Sequence, residues 1–202
     1  MLDEFKKIIK SKGFLKLFKD SFSEEIIKLI FPQFKHFHRF KKLNKFSEQK
    51  LFEVDFIFLI SLMIIDETDN VNYFIYKFNL SNADKKRILF LKKFYDENNK
   101  NNFFSEKKLY KIFYFNGKEC INDLLYFEVF RSKNINKKII HLIDFFKNKE
   151  VPIFPIKGKN IIEKYNYSEG KLLGEKLKKI EEKWIDNNFK VSEKEVEQLL
   201  KN

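Results

Sequence analysis

The chain has 202 residues, of which 44% are hydrophobic and 35% charged, a balance typical of folded proteins and not of disordered ones. Its 41 lysines and arginines outnumber 29 acidic residues, and a formal charge of +12 favours a polyanionic partner such as nucleic acid. Only 5 glycines and 3 prolines are present, which argues against many tight turns and predicts an all-α fold.

The basic charge has a second interpretation. Nearly all of it is lysine, since the only arginines are Arg39, Arg87 and Arg131. Lysine, asparagine, isoleucine and phenylalanine are abundant together, as they are in AT-rich coding sequences. Part of the charge can therefore reflect base composition instead of a binding surface.

Three features predict a cytoplasmic protein without a membrane partner. The single cysteine, Cys120, excludes an intramolecular disulfide and suits a reducing compartment. The first residues are charged and no apolar core follows them, unlike a signal peptide. The most apolar run, at 56–65, is about half as long as a membrane-spanning helix, so we expect a buried core helix there.

Apolar periodicity and helix-start signals predict a chain of helices with short links. Ser21 with Glu24, and Ser192 with Glu195, fit capping boxes, and Asn160 is placed to cap a short helix. A short strand near 113–115 is an alternative to helix at that point. The predicted helices lie near 5–18, 22–31, 34–44, 48–65, 70–78, 82–97, 105–114, 118–131, 135–148, 160–166, 169–187 and 193–201.

Pro152 and Pro155 predict an extended connector at 151–155, because proline biases the residue before it away from helix. This connector is the predicted boundary between a helical body at 47–150 and a small helical tail domain at 151–202. Residues 1–46 form the segment that precedes the body.

The most informative segment is 154–200, which begins FPIKGKNIIEKYNYSEGKLLGEKL. Glycines near two helix starts leave backbone N–H groups uncovered where the helix ends are positive, an arrangement that can take an RNA phosphate. The alternative is that these glycines only cap the helices and allow them to pack. The residues expected to bind RNA here are Lys157, Gly158, Lys159, Gly170, Lys171, Gly174 and Lys176.

Two further basic stretches are candidates for RNA contact. LSNADKKR at 80–87 places Ser81 as an N-cap and projects Lys85, Lys86 and Arg87 from the first turns of a helix. KHFHRFKK at 35–42 interleaves cations, among them Lys35 and Arg39, with aromatic residues. A solvated basic face explains the first stretch equally well, and an amphipathic helix with snorkelling cations explains the second equally well.

The tail segment is similar to the tail of alphaproteobacterial CCA-adding tRNA nucleotidyltransferases and poly(A) polymerases. The shared pattern is F-P-[VIL]-x-G-x-[DN]-[LI]-[LIM] at 154–162, G-x-x-[LIV]-G at 170–174 and W-[LIVW]-x-x-[DN]-F at 184–189. LSNADKKR resembles the body motif of that family, and 1–46 weakly resembles the end of its neck and the start of its body. Ser168-Glu169-Gly170-Lys171 departs from the family's proline-flanked glycine turn.

This resemblance implies a tRNA-binding body and tail that work with a separately encoded catalytic head. The family's head carries a Gly-Ser signature and a D-x-D pair, and its neck an E-D-x-x-R template; none of the three occurs here. We therefore expect no catalytic residue and no metal site in this chain, with Mg²⁺ and CTP or ATP bound only by the head. The alternatives are a decayed remnant of the enzyme and a basic helical scaffold that binds proteins.

Overall fold

The structure is a computed structural model that describes residues 2–11, 13–98 and 105–201. It is 73% helical, and the described ranges contain no strand, which confirms the all-α prediction. A 3₁₀ helix (Phe37–Lys42) lies between α3 and α4. The helices are α1 (Leu2–Ile9), α2 (Phe14–Lys19), α3 (Ser21–Ile30), α4 (Lys45–Lys50), α5 (Phe56–Ile64), α6 (Asn70–Phe78), α7 (Asn82–Asn98), α8 (Glu106–Arg131), α9 (Lys137–Asn148), α10 (Gly158–Tyr165), α11 (Lys171–Asp186) and α12 (Glu193–Lys201).

Two of the helix starts use the predicted caps. The Ser192 N–H donates to a carboxylate oxygen of Glu195 at 2.9 Å, and the Glu195 N–H donates to Ser192 Oγ at 3.4 Å. This reciprocal pair is the capping box predicted at the start of α12. Ser81 caps α7, since its Oγ accepts from the Asp84 N–H at 3.1 Å.

The capping box predicted for Ser21 and Glu24 is wrong. Asp20 precedes Ser21 and takes the N-cap position, where its carboxylate accepts from the Ser23 N–H at 2.8 Å. Ser21 is then the first helical residue, and Glu24 pairs with Lys28 at 2.6 Å instead. An aspartate one residue earlier is an equally good cap.

The single helix predicted at 48–65 is also wrong, because the segment divides into α4 and α5. Asp55 starts α5, accepting from the N–H groups of Ile57 at 2.8 Å and Phe58 at 3.1 Å. Eight of the nine residues of α5 are buried, which confirms the predicted core helix. None of the helices in the described ranges combines the length and apolar content needed to span a membrane.

The chain forms two compact units. Unit 1 comprises 1–102 and 122–148, and unit 2 comprises 103–121 and 149–202. The predicted tail thus groups with the part of α8 that ends at 121. The two helices predicted at 105–114 and 118–131 lie in the one element α8, and the strand considered near 113–115 is helical. Gly117, with φ 81° and ψ −179°, interrupts α8, and such backbone is nearly confined to glycine.

Each unit has its own core. Unit 1 is packed with phenylalanine, and its fully buried rings include Phe34, Phe37, Phe58 and Phe74. In unit 2 one core cluster joins α10, α11 and α12 through Ile161, Leu173, Ile180, Val196 and Leu200. Burying such side chains supplies most of the driving force that holds each set of helices together.

Candidate nucleic-acid interface

The predicted tail site is assembled from the starts of α10 and α11. A Cβ atom at Gly158, the first residue of α10, would lie 3.5 Å from the Leu177 side chain and 3.6 Å from that of Leu173. The first turn of α10 therefore packs directly on the first two turns of α11. Lys157 and Lys159, which flank Gly158, are both exposed beside this contact.

The lysines at these helix starts are only loosely paired. The side chain of Lys159 is 84% exposed, with its ammonium 3.8 Å from Glu163; that of Lys171 is 92% exposed, 4.0 Å from Glu175. Exposed pairs of this kind contribute between zero and about 1 kcal/mol to stability. Their ammonium groups can therefore exchange a carboxylate for a phosphate at little cost.

Both helix starts lack a side-chain cap within the described chain. The N-cap residues are Lys157 for α10 and Gly170 for α11, and neither carries a side-chain acceptor bonded to the first turn. The prediction that Asn160 caps α10 is wrong, because Asn160 is the third helical residue and its N–H donates to Lys157 O at 3.0 Å. The N-cap residues of both helices thus supply no side-chain acceptor to the first-turn N–H groups, a condition that also holds at anion-binding helix starts.

The two glycines at the start of α11 differ in backbone conformation. Gly170 has φ 149° and ψ −171°, a conformation nearly confined to glycine. Gly174 is helical, and its N–H donates to Gly170 O at 3.2 Å, so this group is not available to a ligand as the sequence suggested. A Cβ at Gly174 would meet no described atom within 4 Å. What Gly174 provides is an open surface on the helix.

These conformations predict opposite effects of alanine at the two glycines. Gly170→Ala should lower the free energy of unfolding by about 1 to 2 kcal/mol, because a Cβ strains that backbone. Gly174→Ala should raise it by about 0.5 to 1 kcal/mol, because alanine favours a helix interior. Urea denaturation of both variants checks these two predictions. Equal effects of the two substitutions would contradict the backbone conformations described for Gly170 and Gly174.

Lys176 belongs to the core of unit 2 and not to the interface. It is 7% exposed, and its Nζ donates to Leu199 O at 3.1 Å in the last turn of α12. A cation there stabilises the negative end of that helix. The sequence held the signal, since Lys176 lies between the core residues Leu173 and Ile180 at helical spacing.

In unit 1, the three candidates for RNA contact at 85–87 differ in exposure. The two lysines reach solvent to different degrees, whereas the arginine has a structural role. Lys86 is exposed and Lys85 half-buried, whereas Arg87 donates to Asp123 Oδ1 at 2.7 Å and also pairs with Asp55. Burial alone would lower the pKa of Arg87, but its bonds to Asp123 and Asp55 outweigh burial and raise that pKa. Two carboxylates thus neutralise Arg87, and it links α7 to the start of α5 and to α8.

The patch at 35–42 is built differently from the predicted α-helix at 34–44, since only a 3₁₀ helix (Phe37–Lys42) forms there. Lys35 is exposed. Arg39 donates to Leu62 O at 2.6 Å, so it anchors the patch to α5. Burial, followed by the nearby charge of Arg131, lowers the pKa of Arg39 to about 10.

Two histidines lie in the same patch. The rings of His36 and His38 have their centroids 5.6 Å apart. Burial, then the charges of Arg39 and His38, lowers the pKa of His36 to about 4. No cluster of three or more histidine, cysteine or acidic side chains that could hold a metal occurs in the described ranges.

The tryptophan and phenylalanine of the 184–189 motif end α11. The Phe189 N–H donates to Trp184 O at 2.8 Å, and the two rings lie 4.9 Å apart. Asn188 and Phe189 both have left-handed backbone, with φ 56° and 64°. The motif therefore stops the helix and packs the end against Tyr114, whose ring lies 5.5 Å from Trp184.

The described residues define an all-α protein in which exposed lysines surround helix starts. No protein-family model, curated protein or solved structure matches the chain. The inference about function therefore starts from the lysines and helix starts described here.

Proposed function

We propose that this chain binds RNA. The observation that carries the proposal is the adjacent, uncapped starts of α10 and α11, with the exposed lysines Lys157, Lys159 and Lys171 around them. Backbone N–H groups at helix starts, together with flexible ammonium groups, suit the oxygens of phosphodiesters. Such contacts fix the position of an RNA backbone without reading its sequence.

The charge of unit 1 supports a second area of contact. Its two stretches hold 25 lysines and arginines against 17 acidic residues, whereas unit 2 holds 16 against 12. Lys35, Lys86 and the half-buried Lys85 provide cations there that form no ion pair among the described residues. Most of the long-range attraction for a polyanion thus comes from unit 1, and unit 2 offers the more defined phosphate site.

The finer proposal is that the chain is the tRNA-binding body and tail of a CCA-adding nucleotidyltransferase or poly(A) polymerase. The tail pattern at 154–189 and LSNADKKR at 80–87 support it. In this proposal the chain holds tRNA and presents its 3′ end to a separately encoded head. Mg²⁺ and CTP or ATP bind that head, whose paired carboxylates supply the phosphoryl-transfer chemistry.

The double variant Lys157→Ala/Lys159→Ala tests the phosphate site. If the wild-type chain neutralises about three to five phosphates, the logarithm of its affinity for tRNA falls with log salt at a slope near −3 to −4. The variant should bind roughly tenfold more weakly and flatten that slope by about one to two, with an unchanged thermal melt. Fluorescence anisotropy across a salt series measures both quantities.

The matched control is Lys190→Ala/Lys194→Ala, which removes the same charge from unit 2 near the start of α12. Both lysines are exposed, and neither has an ion pair among the described residues. Equal losses in the two double variants would show a diffuse polycation and contradict the site at α10 and α11. If the wild-type chain binds no RNA, the protein-binding scaffold becomes the better explanation.

A second comparison tests the finer proposal. The chain should bind tRNA that lacks its CCA end more tightly than an unrelated RNA hairpin of the same length. A neighbouring reading frame that encodes a head with the Gly-Ser and D-x-D signatures would support a split enzyme. An intact single-chain enzyme encoded in the same genome would favour a decayed remnant, and equal binding of both RNAs would restrict the proposal to general RNA binding.

A further inference from the structure

Two tyrosines on α6 are more exposed to solvent than the other tyrosines of this chain. Of the 8 tyrosines, six are buried or half-buried, whereas Tyr73 is 55% exposed and Tyr76 is 87% exposed. Within the described residues, neither ring packs on another aromatic ring and neither hydroxyl forms a hydrogen bond. The pair therefore contributes little to the fold.

The two rings share one side of α6. Residues three apart lie about 4.5 Å apart along a helix axis and project from the same face. Aromatic side chains spaced in this way offer a separate stacking surface to each of two successive unpaired bases. Phe74, which follows Tyr73 directly, is fully buried and marks the side of α6 that faces the core.

The surroundings of the pair differ at its two ends: exposed Asp69 lies one turn before Tyr73, whereas the side toward α7 is basic and polar. Lys77 is exposed next to Tyr76, and its Nζ lies 5.4 Å from the centre of the Phe78 ring. A short turn with left-handed Asn79 then leads to the start of α7, which carries Lys85 and Lys86. Lys77 is the only charged residue from 70 to 83, and the next cations along the chain are Lys85 and Lys86 of α7.

We propose that Tyr73 and Tyr76 stack on unpaired bases of an RNA whose backbone runs from α6 toward the lysines of α7. The inference rests on the proposed RNA binding and adds the class of RNA recognised, namely single-stranded segments. A protein partner fits less well, because the centre of a protein interface is depleted in lysine, whereas here exposed Asn72, Lys77 and Asn79 surround the rings.

The test compares single-stranded and duplex RNA as probes. A fluorescently labelled RNA of about ten nucleotides and mixed sequence is titrated with the full chain, alone and after pairing with its complement. Tyr73→Ala/Tyr76→Ala should weaken binding of the single strand by about tenfold or more, and binding of the duplex by less than about twofold. The salt slope should stay unchanged, because no phosphate contact is removed.

Two controls separate the stacking role from other effects. Tyr73→Phe/Tyr76→Phe keeps both rings and should bind within about twofold of wild type. Phe22→Ala removes a ring that is 70% exposed on α3, outside the proposed surface, and should also leave binding unchanged. An equal loss for duplex and single strand, or a loss with Phe22→Ala as large as with the tyrosine variant, would overturn the inference.

The result also separates this inference from the function on which it rests. If wild type and Tyr73→Ala/Tyr76→Ala bind the single strand equally while Lys157→Ala/Lys159→Ala binds it weakly, RNA binding stands and stacking on α6 is excluded. If the wild-type chain binds neither probe, both proposals fail. A protein cross-linked through photoreactive groups at 73 and 76, in the absence of RNA binding, would assign the surface to a protein partner.

Discussion

Arg87→Met is expected to lower the free energy of unfolding by about 3 kcal/mol and to leave RNA affinity within about twofold. Arg87 bonds to both Asp123, whose side chain is 12% exposed, and Asp55. Methionine keeps the length of the side chain but leaves the Asp123 carboxylate without its partner, and an uncompensated buried charge costs several kcal/mol. Urea denaturation and tRNA binding, both measured near neutral pH, give the two quantities.

The control for this variant is the adjacent Lys86→Met, which removes an exposed cation with no ion pair in the described ranges. Its effect on stability should stay within about 0.5 kcal/mol. The pKa of Asp55 provides a second readout. Burial alone raises it, but the bond to Arg87 and the N–H groups of Phe58 and Ile57 together outweigh burial and lower it, so it should rise in Arg87→Met. If Arg87→Met lost RNA affinity while its free energy of unfolding stayed unchanged, Arg87 would have to be counted among the residues that contact RNA.

The contribution of His36 to stability should also fall by about 2 kcal/mol as the pH is lowered from 7 to 4. The pKa of His36 is about 4 in the folded protein and about 6.5 when unfolded, so the unfolded chain takes up the proton first. The contribution of His36 is complete above pH 6.5 and is lost as the pH falls toward 4. Each unit by which folding lowers the pKa changes the free energy of unfolding by about 1.4 kcal/mol, and the partial exposure of His36 reduces the total.

His36→Gln isolates this effect from the titration of carboxylates. The variant should show a flatter dependence of unfolding free energy on pH between 6.5 and 4 than the wild type does. Chemical denaturation at a series of pH values checks the difference. Parallel pH profiles for wild type and His36→Gln would contradict the assignment.

Composition and short-range sequence patterns predicted the presence of helices better than the residues at which the helices begin and end. Scarce glycine and proline were enough for the all-α class, and the serines that start α7 and α12 were recognisable because each has a carboxylate three residues later. Where two acceptors compete, spacing alone cannot choose, as at Asp20 and Ser21. Asp55 was missed for another reason: the apolar residues on both sides suggested one continuous helix.

The candidate site could be predicted only in part, because charge in a sequence does not show where a side chain points. Lys171 and Lys176 look alike as lysines of one helix, yet one is almost fully exposed and the other is bonded inside the core. Arg87 follows Lys86 directly, but its partner Asp123 is 36 residues away in the chain. Long-range contacts of this kind decide which cations remain for a ligand.

The discontinuous make-up of unit 2 has a consequence for how the protein is made. Tyr110 and Tyr114 of α8 pack against Phe189, with ring centres 5.2 Å and 6.2 Å apart, yet Phe189 leaves the ribosome long after them. At about 5 to 20 residues per second, several seconds pass before these tyrosines can find their partner. During translation Tyr110 and Tyr114 therefore lack this partner until nearly the whole chain has been made.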